Sequence, residues 1–286
     1  MGKLIISAAV SLITFCAFAS FVSDFQSANN LFYQRKWPEA AAAFKKLAEN
    51  APAAHKNKCL VYQSRALASQ KKYAEAMAVA DKITGAHWKA FAQMNAMFAN
   101  GKQKELLAAF AEEKIEDWPE EIDYLGHKMR GNAYYSSGNY AEAVCDLENA
   151  VDKAGSDDWA KGESLYYLVC SAEQAGDTRK ALEAADKMLA KEGAKGGWPY
   201  LMCAFTKIHI LIKDKKYDEA EKSLAELNEG RKWGDGEYYL RYLEALGDLA
   251  LAKGDTAKAK ESYTKAAAIK THKGYVDGVQ KKLDAL

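Results

Sequence analysis

The chain has 286 residues, 49% of them hydrophobic and 28% charged, and its formal net charge is +1. This balance is typical of a folded domain rather than a disordered chain, and the lack of a net basic field argues against nucleic-acid binding. Only four prolines occur, and alanine runs at 40–43 and 266–268 favour helices over strands. We therefore predict an all-α fold.

The first nineteen residues have the pattern of a secretory signal. Lys3 precedes an apolar run from Leu4 to Phe15, and 17–19 (AFA) provide the small-x-small pattern of a cleavage site. We predict a signal peptide at 1–19 and a periplasmic or secreted protein. The alternative is an uncleaved anchor in the membrane, because residues 4–22 carry no charge and about 20 apolar residues cross a bilayer.

A short segment at 138–143 (GNYAEA) recurs along the remainder of the chain. When the related segments are aligned on their last residue, they end at positions 40, 76, 106, 143, 181, 220 and 259, with leucine at 106 and alanine elsewhere. The spacings are 36, 30, 37, 38, 39 and 39 residues. A period of this length is typical of helical repeat proteins.

Each copy also keeps an apolar pattern around the aligned position. An apolar residue follows four positions later in every copy. Another apolar residue follows three positions after that in six copies, and the third copy has Glu113 there instead. This spacing predicts an amphipathic helix after each turn and another before it. The turn itself carries glycine in four copies and Arg35, Lys71 or Lys215 in the other three.

Residues 131–143 (GNAYYSSGNYAEA) resemble a near-consensus tetratricopeptide repeat. The copies depart from that family in being mostly longer than 34 residues, and the third is degenerate. The resemblance implies an α-solenoid of about seven helix-turn-helix repeats within 21–286, at 21–54, 57–86, 87–120, 124–157, 162–195, 201–234 and 240–270. Apolar residues at Tyr275, Val276, Val279, Leu283 and Leu286 predict that 271–286 form a terminal capping helix.

In proteins of this family, the first helix of each repeat lines a concave groove that binds peptides or proteins. The resemblance places eight residues in such a groove: Asn95, Phe98, Lys128, Asn132, Tyr135, Tyr166, Phe205 and His209. The aromatic members would be rigid anchors and the asparagines would bond to a peptide backbone. Alternatively, the aromatics are packing residues and the asparagines are solvated.

The same positions in other repeats carry Asn29 and Arg65 near the N-terminus and Glu173, Glu244 and Asp248 near the C-terminus. The C-terminal end of the groove is thus expected to be acidic. Some relatives grip a terminal carboxylate with lysine, arginine and asparagine over three repeats. Lys128 and Asn132 match the first pair of that set, but the remaining positions hold Tyr167, Met202 and Thr206, so this clamp is not predicted.

No catalytic, cofactor-binding or metal-binding motif occurs, and the five histidines are isolated from one another. The predicted function is a non-enzymatic scaffold in the cell envelope that binds a protein or peptide partner. One alternative is a structural accessory subunit of an outer-membrane or envelope assembly machine. Another is a helical glycan-processing enzyme, which would need acids converging in one pocket. No nucleic acid or cofactor is expected, and membrane contact would come only through an uncleaved N-terminal segment.

Export would permit disulfides among Cys59, Cys145, Cys170 and Cys203. Because a repeat touches only its neighbours, Cys59 is too far from the others to pair. Two pairings stay open, Cys145 with Cys170 and Cys170 with Cys203. The third interpretation is that the cysteines are small buried thiols.

Overall fold

The structure is a computed structural model and describes residues 20–190 and 196–286. The predicted signal peptide at 1–19 lies outside these residues. The described part folds into fifteen α-helices and one short 3₁₀ helix without any strand, which confirms the all-α prediction. None of these helices combines the length and the apolar character that a membrane span requires.

The helices alternate with short turns along the chain. They are α1 (20–33), α2 (Trp37–Asn50), α3 (Ala53–Ser69), α4 (Tyr73–Ala80), α5 (Ala86–Ala99), α6 (Gln103–Phe110), α7 (Asp123–Ser136), α8 (Tyr140–Lys153), α9 (Asp158–Gln174), α10 (Thr178–Leu189), α11 (Trp198–Lys213), α12 (Tyr217–Asn228), α13 (Glu237–Ala252), α14 (Thr256–Ala267) and α15 (Lys273–Asp284). The 3₁₀ helix, Ile115–Asp117, follows the short α6 in the degenerate third repeat.

Four helices begin three or four residues before the repeat starts expected from sequence. Positions 57, 162, 201 and 240 fall inside α3, α9, α11 and α13. The residues before these helices explain the earlier starts, because each has a non-helical backbone that lets the helix begin directly after it: Pro52, Asp157, Gly197 and Gly236. Asp157 also accepts a hydrogen bond from the backbone N–H of Ala160 at 2.9 Å, which caps α9.

The repeat alignment is confirmed by burial. All seven aligned positions are 0% exposed, namely Ala40, Ala76, Leu106, Ala143, Ala181, Ala220 and Ala259. The apolar positions four residues later are also buried, from Phe44 in the first repeat to Tyr263 in the last. A small side chain at the aligned position allows two helices to approach closely, which explains why alanine recurs there.

The turns inside the repeats share one backbone conformation. In each of the seven, one residue has a φ between 60° and 84°, in the left-handed region. Four turns use glycine there, as at Gly138, which tolerates this conformation without strain. Arg35, Lys71 and Lys215 adopt it as non-glycine residues, so the turn geometry is imposed by the repeat rather than by glycine.

The chain divides into two compact units, Met1–Gly138 (unit 1) and Asn139–Leu286 (unit 2). Unit 1 contains α1–α7 and unit 2 contains α8–α15. Successive helices pack as hairpins within the units, and the division falls in the turn of the fourth repeat, between α7 and α8. The core of unit 1 includes Phe44 and Phe91, and that of unit 2 includes Ile208 and Tyr263.

The predicted capping helix is α15, which packs on α13 and α14. Val279 is fully buried there, and Val276 and Leu283 pack beside it. Tyr275 and Leu286 are exposed, contrary to the predicted stripe. Leu286 follows the end of the helix, and the ring of Tyr275 lies 4.6 Å from the guanidinium carbon of Arg241 instead of entering the core.

The cysteines fit the buried-thiol interpretation only in part. Cys59 and Cys203 are free thiols with 0% exposure, and burial raises the pKa of Cys59 to about 11. Cys145 is also a free thiol but is exposed, because it lies on the face of α8 opposite the buried Leu147. With Cys145 and Cys203 both free, neither of the two proposed pairings is formed.

Candidate functional site

The eight predicted groove residues lie on the first helices of their repeats, five in unit 1 and three in unit 2. In unit 1, Asn95, Phe98, Lys128 and Tyr135 are partly exposed. In unit 2, Tyr166 is partly exposed, Phe205 is 8% exposed and His209 is exposed. The remaining residue, Asn132, departs from the expected placement.

Asn132 is 4% exposed rather than open to a ligand. It lies three residues after the buried Met129, which is the spacing of one helical turn and places both on the same face of α7. Its Oδ1 atom is buried and accepts no hydrogen bond from any described residue. Asn132 therefore belongs to the interior of unit 1, and the prediction that it is an exposed groove residue is wrong.

Unit 2 contains an open cavity of about 300 Å³ on the first helices of the last three repeats, α9, α11 and α13, and on the capping helix α15. It brings together Phe205 and His209, two of the three residues predicted in this unit, but not Tyr166. It is also lined by residues of three kinds, which are apolar (Met202, Ile212, Ala245), carboxylate (Glu173, Glu244, Asp248) and cationic or hydroxyl (Arg241, Lys282, Thr206).

The two cavity carboxylates on α13 share one cation from the capping helix. Lys282 Nζ lies 2.8 Å from Glu244 Oε1 and 2.8 Å from each oxygen of Asp248. The hydroxyl of Tyr263 donates a second hydrogen bond to Asp248 Oδ1 at 2.7 Å. Burial by itself would lower the pKa of Lys282, but the hydrogen bonds to Asp248 and Glu244 outweigh it and raise that pKa. Lys282 is therefore held as a cation.

Two further charged groups stand at the cavity. Arg241 donates from Nε to Glu237 Oε1 at 2.9 Å, and its guanidinium lies over the ring of Tyr275. His209 Nε2 is 3.9 Å from Glu173 Oε1, and the His209 side chain is 63% exposed. The sequence did not single out Arg241 or Lys282, because Arg241 lies outside the carried-over positions and Lys282 lies outside the repeats.

Unit 1 has a different arrangement on its first helices. The guanidinium carbon of Arg65, on α3, lies 5.2 Å from the ring centroids of Phe32 and Tyr62 and 5.9 Å from that of Phe91. The guanidinium of Arg65 makes no hydrogen bond or ion pair with any residue in the described part of the chain. On α5, Asn95 donates a weak hydrogen bond to the sulfur of Met129 at 3.7 Å.

These arrangements suit recognition of side chains. Across 20–190 and 196–286, no group of three or more His, Cys, Asp or Glu residues is placed to hold a metal ion. The lining of the unit 2 cavity combines apolar residues with a few charged ones, which is the composition of a pocket that receives a side chain and orients it by charge.

Comparison with known proteins agrees with this architecture. Residues 25–91 match the family model of the tetratricopeptide repeat. No curated protein sequence matches the chain significantly.

Solved structures match over nearly the whole chain. A tetratricopeptide repeat protein from Parabacteroides merdae is 13% identical with a TM-score of 0.50 and covers 93% of this chain and 99% of its own. The pilF protein of Pseudomonas aeruginosa is 13% identical with a TM-score of 0.53, over 92% and 98%. The C-terminal part of a repeat-containing protein from Cytophaga hutchinsonii is 15% identical with a TM-score of 0.51, over 89% and 98%. At these identities the likeness concerns the fold.

Proposed function

Because the chain belongs to the tetratricopeptide repeat family, we propose that it is a non-enzymatic scaffold of the cell envelope that binds another protein or peptide. The observation that carries this proposal is the open cavity of unit 2, in which the first helices of three successive repeats converge. Met202, Phe205 and Ile212 in its lining offer apolar contact, and the lining also offers charged groups.

The size and chemistry of the cavity favour a peptide side chain over a substrate. A volume of about 300 Å³ is at the lower end of ligand pockets. The two carboxylates on α13 are engaged by Lys282 and Tyr263, and Arg241 is engaged by Glu237, so these groups are committed to structure. A glycan-processing reaction uses two carboxyl groups that are free to exchange protons, and of the three carboxylates in the cavity lining this leaves Glu173 alone.

The proposal is tested by filling the cavity without disturbing the core. Thr206 lines the cavity and is only partly buried, so Thr206→Trp should occupy the space that a ligand side chain would enter. Peptides selected by display on the whole chain are expected to bind Thr206→Trp at least tenfold more weakly in fluorescence anisotropy. Thr264→Trp, an equal change at an exposed position on α14, is the matched control.

The outcome against the proposal is equal binding by both variants and the unchanged chain, or selection of no peptide at all. Phe205 is a less informative target, because it is 8% exposed and belongs to the unit 2 core. Truncating it would cost on the order of 3 kcal/mol of folding free energy, and weakened binding could then reflect unfolding.

The envelope location rests on Lys3 and the apolar run that follows it. Mass spectrometry of the protein from its own cells is expected to find a new N-terminus near residue 20 in the envelope fraction. An intact N-terminus in the cytoplasmic fraction would contradict the location while leaving peptide binding open.

A further inference from the structure

We propose that Arg65 is the recognition point for a carboxylate side chain, Asp or Glu, of an extended peptide that binds to the first helices of unit 1. This inference rests on the proposed peptide-binding function and names the chemistry of the partner. It starts from the placement of one guanidinium among three aromatic rings, with no carboxylate beside it.

The rings hold the guanidinium in a fixed position. Phe91 is 1% exposed and Phe32 is 9% exposed, so both are part of the unit 1 core. Tyr62 packs on Phe25 and Phe44, with centroid distances of 5.4 and 5.2 Å. An arginine on such rigid partners has already lost much of the side-chain freedom that binding would otherwise remove.

The donors of Arg65 are left for another molecule. A guanidinium carries five N–H donors in its plane, and ring faces attract its charge without accepting all of these hydrogen bonds. Arg65 finds no acceptor in the described residues, yet none of its nitrogens is among the buried unpartnered atoms. Its nitrogens are therefore open to solvent and can meet an acceptor on a ligand.

Charge selects the type of acceptor. The family resemblance places certain positions of the first three repeats in the groove. These positions hold asparagines, aromatics and aliphatic residues, and Arg65 is the only charged residue among them. Lys58 lies about two helical turns before Arg65 on α3 and is already paired with Glu121 at 2.8 Å. At these positions of the first three repeats, an incoming anion therefore meets one cation and no carboxylate, and the next groove cation of unit 1 is Lys128 on α7.

One positive charge matches a carboxylate better than a phosphate. A carboxylate carries a single charge and fits the guanidinium fork in a bidentate manner. A phosphorylated side chain carries nearly two negative charges and is usually held by more than one cation. We commit to a side-chain carboxylate within the peptide rather than a chain terminus, since one fork suffices for it.

The test uses peptides selected by display on the whole chain and resynthesised with acetylated and amidated ends, which removes the terminal charges. In each binder, every Asp or Glu is replaced in turn by Asn or Gln, and fluorescence anisotropy measures the loss of affinity. We expect one replacement to weaken binding about tenfold, as for the loss of a charged hydrogen-bonded pair. The ratio of the Kd for the amide peptide to the Kd for the acid peptide should fall to about one in Arg65→Gln and be partly retained in Arg65→Lys.

Arg179→Gln is the matched control, because Arg179 is 76% exposed on α10 in unit 2 and pairs with Glu183 in its own helix. It should leave the acid-to-amide ratio unchanged. Circular dichroism of Arg65→Gln and Arg65→Lys verifies that both are folded, and the Lys variant keeps the test valid if the Gln variant is not.

Three outcomes overturn the inference in distinguishable ways. Peptides that bind without any dependence on Asp or Glu, or with a ratio unchanged in both Arg65 variants, refute the role of Arg65 and leave the scaffold function intact. Binding that disappears on amidating the C-terminus shows a chain terminus to be the ligand. A failure to select any peptide refutes the scaffold function itself.

Discussion

The two units each hold one cation in a different way. In unit 2, Lys282 contacts three carboxylate oxygens at 2.8 Å, and each acid on α13 that lines the cavity is paired within the fold. In unit 1, Arg65 lies among three rings and meets no acceptor in the described residues. In unit 2, the lysine joins the capping helix to a repeat. In unit 1, the guanidinium keeps its hydrogen-bond donors available for a partner.

The difference distinguishes a cation that stabilises the fold from a cation that is available to bind a partner. A cation that satisfies neighbouring carboxylates cannot be removed without leaving them unpaired, so its removal should lower stability. A cation on aromatic rings loses only a cation–π attraction when it is removed, so its removal should lower binding more than stability. The following predictions test that separation.

The largest effect is expected at Gly247, which positions the unit 2 network. A Cβ atom at Gly247 would lie 2.6 Å from Cδ1 of Tyr263, whose hydroxyl holds Asp248. Because Tyr263 is 1% exposed and fully packed, Gly247→Val should lower the free energy of unfolding by about 3 kcal/mol. Urea denaturation followed by circular dichroism measures this. Gly278→Val on α15 meets nothing within 4 Å and serves as the control.

Helix propensity by itself favours valine over glycine at both positions, so an equal change in the two variants would show that the ring of Tyr263 does not limit the space at Gly247. A loss confined to Gly247→Val would show that close ring packing on α13 supports the position of Asp248, and through it of Lys282.

The next effect concerns Lys282 itself. Lys282→Met keeps the aliphatic stem but leaves Glu244 and Asp248 without their shared cation, and we expect a loss of about 1–2 kcal/mol. The same urea titration applies. Lys281→Met changes an exposed lysine on the same helix and should be neutral within about 0.5 kcal/mol. If Lys282→Met is as stable as the unchanged chain, the pairing in unit 2 is not structural and the contrast with unit 1 disappears.

Arg65→Met should have a smaller effect on stability. Met retains the apolar contact with Phe32, Tyr62 and Phe91 and leaves no carboxylate unpaired, so the change should stay within about 1 kcal/mol. Peptide affinity measured on the same sample is expected to fall about tenfold. A stability loss larger than that of Lys282→Met would show that Arg65 is a structural residue.

The sequence predicted the repeat architecture well, because the physical signal repeats seven times. Ala40 and its six counterparts are fully buried, and the non-glycine turn residues such as Lys71 adopt the left-handed conformation that glycine adopts elsewhere. A single alanine or lysine would carry no such information. The positions of helix starts were less accurate, since they depend on local capping residues such as Asp157 rather than on the period.

The site was harder to predict because exposure and pairing depend on packing between elements. Asn132 and Asn95 occupy equivalent positions, yet Asn132 is buried, and the burial of its neighbours Met129 and Ala133 decides this. The acidic character of the last repeats was expected, but Lys282, which pairs with Glu244 and Asp248, lies far along the chain on α15. No spacing rule in the repeats links α15 to α13.

The smallest expected effect is the alkaline pH dependence of stability. The pKa of Lys282 is raised in the folded chain, so its contribution is complete below the pKa of an unfolded lysine, about 10.4, and is lost as pH rises through the higher folded value. Tyr263, whose pKa is raised by burial and by its bond to Asp248, also loses its contribution above the ordinary tyrosine range.

Urea denaturation between pH 9 and 11 should therefore show stability falling with pH. The free energy of unfolding of Lys282→Met should fall less steeply with pH, because only the tyrosine contribution remains in this network. Arg65→Met should fall as steeply as the unchanged chain, since a guanidinium does not titrate in this range. An equal slope in all three proteins would mean that the charge of Lys282 does not stabilise unit 2.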